Sequence, residues 1–333
     1  MKLSICVPHY NEETEVVVNL LDSLKIQQNI NFDDLEVIIV NDGGDAKQIT
    51  DIATENYPFM IKTISNTHNG VSATRNEAFN HATGDYVMFC DVDDMFYNAC
   101  GLWIIFNEMK GEGFDVLIST FIEESRLPDK NPTYLTHEVD YTFVHGKVYR
   151  KKYLINNNIK WNKNLTIHED SYFNFLAINL ANKERAKFCQ SPFYLWKWRD
   201  ASVCRHDPKY ILKTYNNMLD SSTALVNELK DRSKTDLARQ TVTNMIFDAY
   251  FTMNKKEWLD QENKEYRHNT ELRFKQYYEE FLPDFMSIPE ETKNGIIVGI
   301  RNRMYQEGLI LESITFKDWI EEIEKMEVCN DCN

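Results

Sequence analysis

Short apolar segments and segments with helical periodicity alternate along the N-terminal part of the chain. The apolar runs have the length of buried strands and lie at residues 2–8, 35–40, 60–65 and 85–90. Apolar residues at helical spacing mark helices between them, at residues 14–27, 49–56 and up to a stop at Gly84. A helix at 101–114 and a strand at 115–121 continue the alternation. This pattern predicts an α/β fold with right-handed crossovers, a mostly parallel sheet and helices on both of its faces.

Polar clusters follow three of the predicted strands at the point where each strand ends. Residues 8–12 come after the first strand, Asp42 ends the second, and residues 91–94 follow the fourth. Sheets of this kind bind their ligands outside the carboxyl ends of the strands. We therefore expect the three clusters to meet at one edge of the sheet and to form a ligand site there.

The densest cluster is the sequence Asp-Val-Asp-Asp at 91–94. On an extended backbone residues i and i+2 point to the same face, so Asp91 and Asp93 are expected to project together. Carboxylates this close raise one another's pKa unless a cation lies among them, and Mg²⁺ or Mn²⁺ prefers such oxygen ligands. A metal site is therefore one interpretation of the cluster, and a solvated acidic turn is the other.

The composition limits the classes of protein to which the chain can belong. With 333 residues, 43% of them hydrophobic, it can fold as one large or two smaller domains. The formal net charge of -15 argues against binding nucleic acid by general electrostatic attraction. Seven cysteines without framework spacing fit a reducing compartment, and the pair Cys329 and Cys332 could supply only half of a tetrahedral zinc site. No apolar run has the length of a membrane span, so we expect a cytoplasmic protein.

Two basic features lie among the predicted elements. A glycine turn at residues 69–76 leads into a helix, where free N–H groups and the helix dipole suit a phosphate, and Arg75 would add a cation. A solvated helix arginine is the alternative for Arg75. A second basic run consists of Lys147, Arg150, Lys151 and Lys152, which either begin a solvated helix or meet a diphosphate or an anionic acceptor. The polar residues 123–140, with two prolines, are expected to form a loop over the site.

Four motifs resemble the family-2 glycosyltransferases of GT-A fold in sequence, order and spacing. They are Ser-Ile-Cys-Val-Pro-His-Tyr-Asn-Glu (4–12), Val-Asn-Asp-Gly-Gly (40–44), Gly-Val-Ser-Ala-Thr-Arg-Asn (70–76) and Gly-Asp-Tyr-Val-Met-Phe-Cys-Asp-Val-Asp-Asp (84–94). Four ordered motifs are far more specific than a single Asp-x-Asp. The resemblance implies a Rossmann-like GT-A nucleotide-sugar domain at residues 1–206. The resemblance ends at residue 206. An all-α region at 207–333 is predicted by helical periodicity at 210–229, 236–259, 271–281, 291–306 and 315–326. Three roles are open for this region: to shape the acceptor groove, to form an oligomer or to dock a partner.

The resemblance also implies a binding site for a nucleotide sugar, usually a UDP-sugar. By the family pattern Asp42 accepts a hydrogen bond from the uracil imide, and Asp91 and Asp93 hold the ribose and a Mn²⁺ or Mg²⁺ ion. The further donor contacts that it implies are Pro8 and Tyr10 at the base, Glu12 in the same loop, and Asn69 and Arg75 toward the base and diphosphate. One departure is visible, since the family often has Asp-Asp where this chain has Asn41 and Asp42.

The acidic pair Glu169 and Asp170 is expected to open a helix, where the dipole favours negative charge. A generic capping cluster would look the same. The resemblance implies that Asp170 is the general base and that Glu169 contacts the donor sugar. In the family's closing motif it implies diphosphate contacts for Arg199, Ser202 and Arg205, with His206 as a further candidate metal ligand, although a lone histidine is more often a surface or core residue.

The expected function is metal-dependent, inverting transfer of a sugar from a UDP-sugar to a hydroxyl acceptor. The acceptor expected from the resemblance is a cell-envelope glycan or a teichoic-acid-type polymer, which a cytoplasmic enzyme would reach at the inner membrane face. Phage-type modification of hydroxymethylated DNA bases is an alternative that the acidic charge disfavours. A non-catalytic nucleotide-sugar-binding module is an alternative of another class, which the presence of Asp91, Asp93 and Asp170 disfavours.

Overall fold

The computed structural model describes residues 1–127, 129–199, 210–259, 264–306 and 314–326. Contacts within the chain group its residues into two compact units, Met1–Ser202 and Val203–Asn333. The first unit combines a β-sheet with helices, and the described residues of the second unit are almost entirely helical. The predicted sequence of an α/β region followed by a helical region is therefore present.

The described residues of the first unit form a nine-stranded sheet. Its strands in chain order are β1 (Leu3–His9), β2 (Leu35–Asp42), β3 (Met60–Asn66), β4 (Tyr86–Phe89), β5 (Met95–Phe96), β6 (Val116–Arg126), β7 (Pro132–His137), β8 (Lys147–Arg150) and β9 (Ala186–Trp196). Their order in the sheet is β3-β2-β1-β4-β8-β6-β9-β5, with β7 paired to β6. Strands β1 to β4 are parallel, as predicted. Beyond β4 the sheet is mixed, because β8 runs antiparallel to both β4 and β6.

Helices of the first unit pack on this sheet and on its edges. They are α1 (Thr14–Lys25), α2 (Lys47–Thr50), α3 (Val71–His81), α4 (Gly101–Glu108), α5 (Lys151–Asn156) and α6 (Glu169–Asn179). Helix α1 buries Val17, Leu20, Leu21 and Leu24 completely, in one core with the apolar residues of β1 and β2. Full burial of each such side chain contributes roughly 1.5–3 kcal/mol. The predicted amphipathic helix at 14–27 is thus confirmed, apart from its last two residues.

Three local predictions are wrong. The helix expected at 49–56 is only one turn of α-helix and a separate 3₁₀ turn at Thr54–Asn56, since the segment buries only Ile49 and Ile52. The helix expected at 101–114 ends at Glu108, because Gly111 and Gly113 adopt positive φ angles of 67° and 63°. The loop expected at 123–140 is largely a hairpin, in which β7 pairs with residues 121–126 of β6.

The second unit contains helices α7 (Tyr210–Asp231), α8 (Thr235–Met253), α9 (Lys256–Leu259), α10 (Lys264–Met286), α11 (Glu290–Gln306) and α12 (Phe316–Lys325). The helix predicted at 236–259 is interrupted after Met253, and the others occupy the expected stretches. The aromatic residues that were predicted as core are buried: Tyr250, Phe251, Trp258, Tyr277 and Tyr278. In the part of the chain that the structure describes, no helix combines the length and apolar character that crossing a membrane requires.

Candidate functional site

A cavity of about 360 Å³ lies in the first unit where β1, β2 and β4 end. The three polar clusters that follow these strands all contribute to its wall, together with the beginning of α3. Its lining residues are Pro8, His9, Tyr10, Glu12, Asp42, His68, Gly70, Val71, Thr74, Arg75, Asp91, Val92 and Asp93. Segments far apart in the sequence thus meet at one edge of the sheet, as parallel topology requires.

The carboxylate of Asp42 holds the loop that leads into α3. Its two oxygens accept hydrogen bonds from the backbone N–H groups of Asn69 and Gly70, at 2.8 and 2.9 Å. Gly70 adopts a φ of 85°, which favours glycine over residues with a side chain. The side chain of Asn69 instead donates to the carbonyl oxygen of Thr67 at 2.7 Å and is not part of the cavity wall. The expected contact of Asn69 with the base or diphosphate stays a prediction; in this conformation its side-chain amide is bonded within its own loop.

An aromatic pair lies at the side of the cavity. The rings of Tyr10 and His68 have centroids 4.8 Å apart at an interplanar angle of 35°. Tyr10 is 50% exposed, so one aromatic surface remains open to a ligand. Glu12 fixes this loop by accepting the backbone N–H of Tyr10 at 2.6 Å. Flat aromatic surfaces of this kind stack readily on nucleobases.

The acidic motif is a turn, and the extended backbone expected for it is wrong. Strand β4 ends at Phe89, and the N–H of Asp94 donates to the carbonyl oxygen of Asp91 at 3.1 Å. Asp91 and Asp93 still both line the cavity, but they bond to different cations. Asp91 accepts from Arg75 and Asp93 accepts from Arg199, each at 2.8 Å. These arginines supply the positive charge that neighbouring carboxylates require.

Arg75 connects the acidic motif to the second acidic pair. Its Nη2 donates to Asp91 at 2.8 Å and its Nη1 donates to Glu169 at 2.9 Å. Burial by itself would lower the pKa of Arg75, but the charges of Asp91 and Glu169 raise it above its ordinary value, so the guanidinium stays charged. Arg75 is only 4% exposed, and the interpretation of it as a solvated helix arginine is therefore wrong.

A cluster of possible metal ligands consists of the half-buried Asp91 in the cavity wall and the buried Asp94 and His145. One ligand atom from each of Asp91, Asp94 and His145 lies within 4.8 Å of the other two. The Nε2 atom of His145 is 3.8 Å from Asp91 and 3.6 Å from Asp94. Burial lowers the pKa of His145, which favours the neutral imidazole that binds metals. Its Nδ1 has no hydrogen-bond partner among the described residues.

Asp91 and Asp94 have opposite shifts in pKa. Burial would raise the pKa of Asp91, but Arg75 and His145 hold it below its usual range. Burial together with the charges of Asp93 and Asp91 raises the pKa of Asp94 well above its usual range. Asp94 accepts the O–H of Tyr194 at 2.5 Å and the N–H of Lys197 at 2.9 Å.

Sequence reasoning missed Asp94, His145 and Tyr194 as members of this cluster. Asp94 was visible as the last residue of the acidic motif. His145 and Tyr194 lie on segments that only the mixed half of the sheet brings to the cluster. A lone histidine and a tyrosine in an aromatic strand carry no local signal for such a position.

Asp170 stands at the beginning of α6, as predicted. Burial and the charge of Glu169 raise its pKa to about 7, while the charge of Arg75 acts in the opposite direction. The N–H of Ser171 donates to its carboxylate at 2.8 Å. The Asp170 carboxyl group can therefore exchange a proton near neutral pH, which is the property that a general base needs.

The other expected site residues divide into three groups. Arg199 lies 3.7 Å from Glu12 in addition to its bond with Asp93, and its contact with a diphosphate stays a prediction. Ser202, Arg205 and His206 lie outside the described residues. Both interpretations of the basic run are wrong for Lys147, which lies in strand β8 and is completely buried, with its ammonium group bonded to Asp140 and to the carbonyl oxygen of Phe143.

The model of the family described as glycosyl transferase family 2 matches residues 4–177, which include the cavity wall and both acidic motifs. This chain belongs to glycosyl transferase family 2. It is 26% identical over 325 residues to a poly(ribitol-phosphate) beta-glucosyltransferase of Bacillus spizizenii, covering 91% of this chain and 48% of that protein. It is 28% identical over 197 residues to the poly(ribitol-phosphate) beta-N-acetylglucosaminyltransferase TarS of Staphylococcus aureus, covering 55% of this chain and 33% of TarS.

The chain thus spans about half, or less, of the length of these curated relatives. Its structure is similar to the crystal structure of S. aureus TarS 1–349 in complex with UDP-GlcNAc, with a TM-score of 0.61 and 21% identity over 83% of this chain and 81% of that one. It is also similar to the mannosyltransferase PcManGT from Pyrobaculum calidifontis in complex with GDP-Man and Mn²⁺, with a TM-score of 0.50, 15% identity and coverage of 68% and 64%. The predicted α/β GT-A fold with a helical C-terminal region is confirmed.

Proposed function

We propose that this family-2 chain is a glycosyltransferase that moves a sugar from a UDP-sugar to a hydroxyl group of a cell-envelope polymer of the teichoic-acid type. Family membership supports transfer of a sugar. The solved complex of TarS 1–349 with UDP-GlcNAc supports a uridine donor. The poly(ribitol-phosphate) transferases among the relatives support the class of acceptor.

The observation that carries the proposal is the bridge from the donor cavity to the second acidic motif. Arg75 bonds to Asp91 of the cavity wall and to Glu169, the neighbour of Asp170 in the chain. The group proposed as base and the proposed donor site are thereby held at one place in the first unit. A carboxyl group with a raised pKa beside the proposed donor site supports a catalytic role over binding alone.

The residues around the acidic turn fit a divalent cation. The side chains of Asp91 and Asp93 line the cavity and are 30% and 23% exposed, and the buried Asp94 and His145 lie beside Asp91. We assign the metal to the carboxylates of Asp91 and Asp93. Asp94 and His145 are further residues that could each supply a ligand atom. Bound there, Mn²⁺ or Mg²⁺ would supply positive charge for the departing diphosphate.

The residues of the chain have separate roles in the proposed reaction. The Tyr10 and His68 rings and the Asp42 loop bind the uridine, and Arg199 faces the diphosphate beside Glu12 and Asp93. The carboxylate of Asp170 removes the proton from the acceptor hydroxyl. The acceptor oxygen then forms its bond to the anomeric carbon as the bond from that carbon to the diphosphate oxygen breaks on the opposite face. This single displacement inverts the anomeric centre.

Thermal unfolding with a panel of nucleotides tests the donor site. UDP, UDP-glucose, UDP-GlcNAc, GDP and CDP are each added with and without Mn²⁺. A ligand present at about 100 times its Kd adds about 2.7 kcal/mol to the free energy of unfolding. We expect a shift of the melting temperature with UDP and one UDP-sugar that grows with Mn²⁺. The substitution Asp93→Asn should abolish the Mn²⁺-dependent part of the shift. No shift with any uridine nucleotide would overturn the proposal.

Release of UDP on addition of acceptor tests the second half of the proposal. Poly(ribitol phosphate) is the first acceptor to use, with poly(glycerol phosphate) and hydroxymethylated duplex DNA as matched comparisons. We expect acceptor-dependent UDP release with the ribitol polymer. If UDP were released only with DNA, DNA would replace the teichoic-acid polymer as the proposed acceptor. If the donor bound but no hydroxyl acceptor caused release of UDP, a binding module would be favoured.

A further inference from the structure

Trp161 occupies a position that none of the proposed roles explains. It lies between α5 and α6 and is only 3% exposed. Its backbone is held by the side chain of Asn76 in α3, which donates to the Trp161 carbonyl oxygen at 2.8 Å and accepts the Trp161 N–H at 3.1 Å. Asn76 is the residue after Arg75, so one helix fixes both the indole and the guanidinium.

The indole ring is the middle layer of a stack. The guanidinium carbon of Arg75 lies 4.5 Å from the Trp161 ring centroid. The ring of Phe173 in α6 is parallel to the indole, with centroids 4.2 Å apart and an interplanar angle of 1°. Because Phe173 covers one face of the indole, the guanidinium occupies the other face. Phe89, at the end of β4, contacts the indole edge-on at 5.0 Å.

The indole face limits the directions in which the Arg75 guanidinium can tilt. The two terminal nitrogens are used by Asp91 and Glu169, and Nε has no hydrogen-bond partner among the described residues. Two bonds from terminal nitrogens leave the guanidinium free to tilt about the line that joins them. The flat surface of Trp161 opposes that tilt, because a cation is attracted to the face of an indole ring.

We infer that Trp161 is a positioning residue, which holds Arg75 between Asp91 and Glu169 and so fixes the donor motif relative to the motif that carries the proposed base. The inference rests on the proposed function, since it concerns the alignment of a donor with an acceptor. Small displacements of reacting groups cost rate steeply, by as much as about 100-fold for 1 Å.

A displaced Arg75 would also change the electrostatic environment of Asp170. The groups that act on the Asp170 carboxyl are Glu169 and Asp91, which raise its pKa, and Arg75, which lowers it. Lys147 and Tyr149 of β8 also interact electrostatically with Asp170. When the Arg75 charge moves away, the pKa of Asp170 rises. The base is then unprotonated only at higher pH, so the acidic limb of the rate profile moves to higher pH.

The experiment compares Trp161→Leu, which removes the aromatic face, with Trp161→Phe, which keeps one. We expect Trp161→Leu to lower kcat about 10- to 100-fold with KM for the donor changed less than threefold, and to move the acidic limb of kcat/KM to higher pH. Trp161→Phe should stay within about fivefold of the wild type. Asn76→Ala, which removes the two hydrogen bonds to the Trp161 backbone and keeps the indole, should shift the limb in the same direction and serves as the test if Trp161→Leu does not fold.

A second measurement needs no activity at all. In arginine-labelled protein, the Nε–H resonance of Arg75, assigned by its loss in Arg75→Lys, should be displaced by the ring current of the indole. We expect that displacement to disappear in Trp161→Leu and to be reduced in Trp161→Phe. A resonance unchanged in Trp161→Leu, or an unchanged acidic limb in a folded variant, would overturn the inference. An inactive wild type with a displaced resonance would count against the proposed function and leave the position of Arg75 intact.

Discussion

The raised pKa of the Asp170 carboxyl group suits its proposed role as a base but lowers the stability of the folded protein. As a base it needs a pKa near neutrality, and the structure raises that pKa by burial beside Glu169. A carboxyl whose pKa is higher in the folded state binds protons more tightly there than in the unfolded chain. Its ionisation therefore reduces the stability of the protein as pH rises from about 4 to about 7, and the loss is constant at higher pH. The proposed activity at this residue costs stability at the same pH at which the base works.

We predict that Asp170→Asn separates these two effects. The kcat should fall about 10²- to 10⁴-fold, because an amide cannot remove the acceptor proton. At pH 8 the variant should be more stable than the wild type by on the order of 1–3 kcal/mol, and at pH 4 the difference should vanish. Steady-state UDP release and urea unfolding at the two pH values measure both. Near-wild-type turnover in a folded Asp170→Asn variant would contradict the role of this residue as base.

In the wild type, kcat/KM should rise with pH through about 7, because the carboxylate form of Asp170 is the active one. Glu169→Gln offers a matched comparison on the neighbouring residue. Removing the Glu169 charge removes one cause of the raised pKa, so the acidic limb should move to lower pH. A limb that does not move would mean that another group controls the profile.

The burial of Lys147 in strand β8 could not be predicted from the sequence. Its basic residues were expected at a helix start or at a bound anion, yet Lys147 is completely buried and bonds inside the protein. The Asp140 carboxylate that it meets also accepts the N–H groups of Thr142 and Phe143, at 2.9 and 2.7 Å. Lys147 therefore fixes the segment that leads to His145. Burial of a lysine depends on a partner from a distant part of the chain, which local composition does not reveal.

Loss of the Lys147 ammonium should destabilise the protein. We predict that Lys147→Met lowers the free energy of unfolding by about 2–4 kcal/mol, because the partly buried Asp140 and the Phe143 carbonyl oxygen lose their partner. The matched control is Lys152→Met, an exposed lysine five residues away, which should change it by less than about 0.5 kcal/mol. Urea unfolding measures both, and equal effects would show that the Lys147 pair contributes nothing beyond a surface charge.

At the level of elements, much of the fold could be predicted because local signals agreed with the final structure. Strands β1 to β4 and helices α1 and α3 follow from apolar periodicity and turn residues. The β6–β7 hairpin could not be found in this way, because its exposed strand carries no apolar alternation and its partner strand is known only from the fold. The acidic motif was located correctly, but the turn at Asp91 depends on a backbone hydrogen bond that composition does not encode. His145 and Trp161 contact site residues that are distant in the sequence, so no local pattern could have identified them.

At the scale of the whole molecule, the chain contains two compact units, to which we assign different functions. All described residues that line the proposed donor cavity belong to the first unit. We propose that residues 1–206 are the catalytic domain and that the helical region serves the acceptor or assembly. The net charge of -15 would repel an anionic ribitol-phosphate polymer, so a local contact must provide its attraction.

A fragment of residues 1–206 tests the division. We predict that it binds UDP with Mn²⁺ at a Kd within about threefold of the full chain, because the described cavity wall is complete in it. Transfer to the polymer should fall by at least about tenfold if the helical region serves the acceptor. Isothermal titration and UDP release give the two numbers. A folded fragment that no longer binds UDP would show that the helical region is part of the donor site.

The two-residue strand β5 pairs Met95 and Phe96 with Leu195 and Tyr194 of β9, immediately after the acidic motif and shortly before Arg199. Asp94 in turn is held by groups from β9 and the segment after it. Synthesis proceeds from the N-terminus, and about a hundred residues separate these two halves of the site along the chain. A growing chain on the ribosome can therefore pair β1 to β4 well before Tyr194 and Lys197, the partners of Asp94, have been synthesised. The lining residues of the cavity are therefore synthesised well before Tyr194 and Lys197, and Asp94 gains these two partners only when β9 and the segment after it have been added.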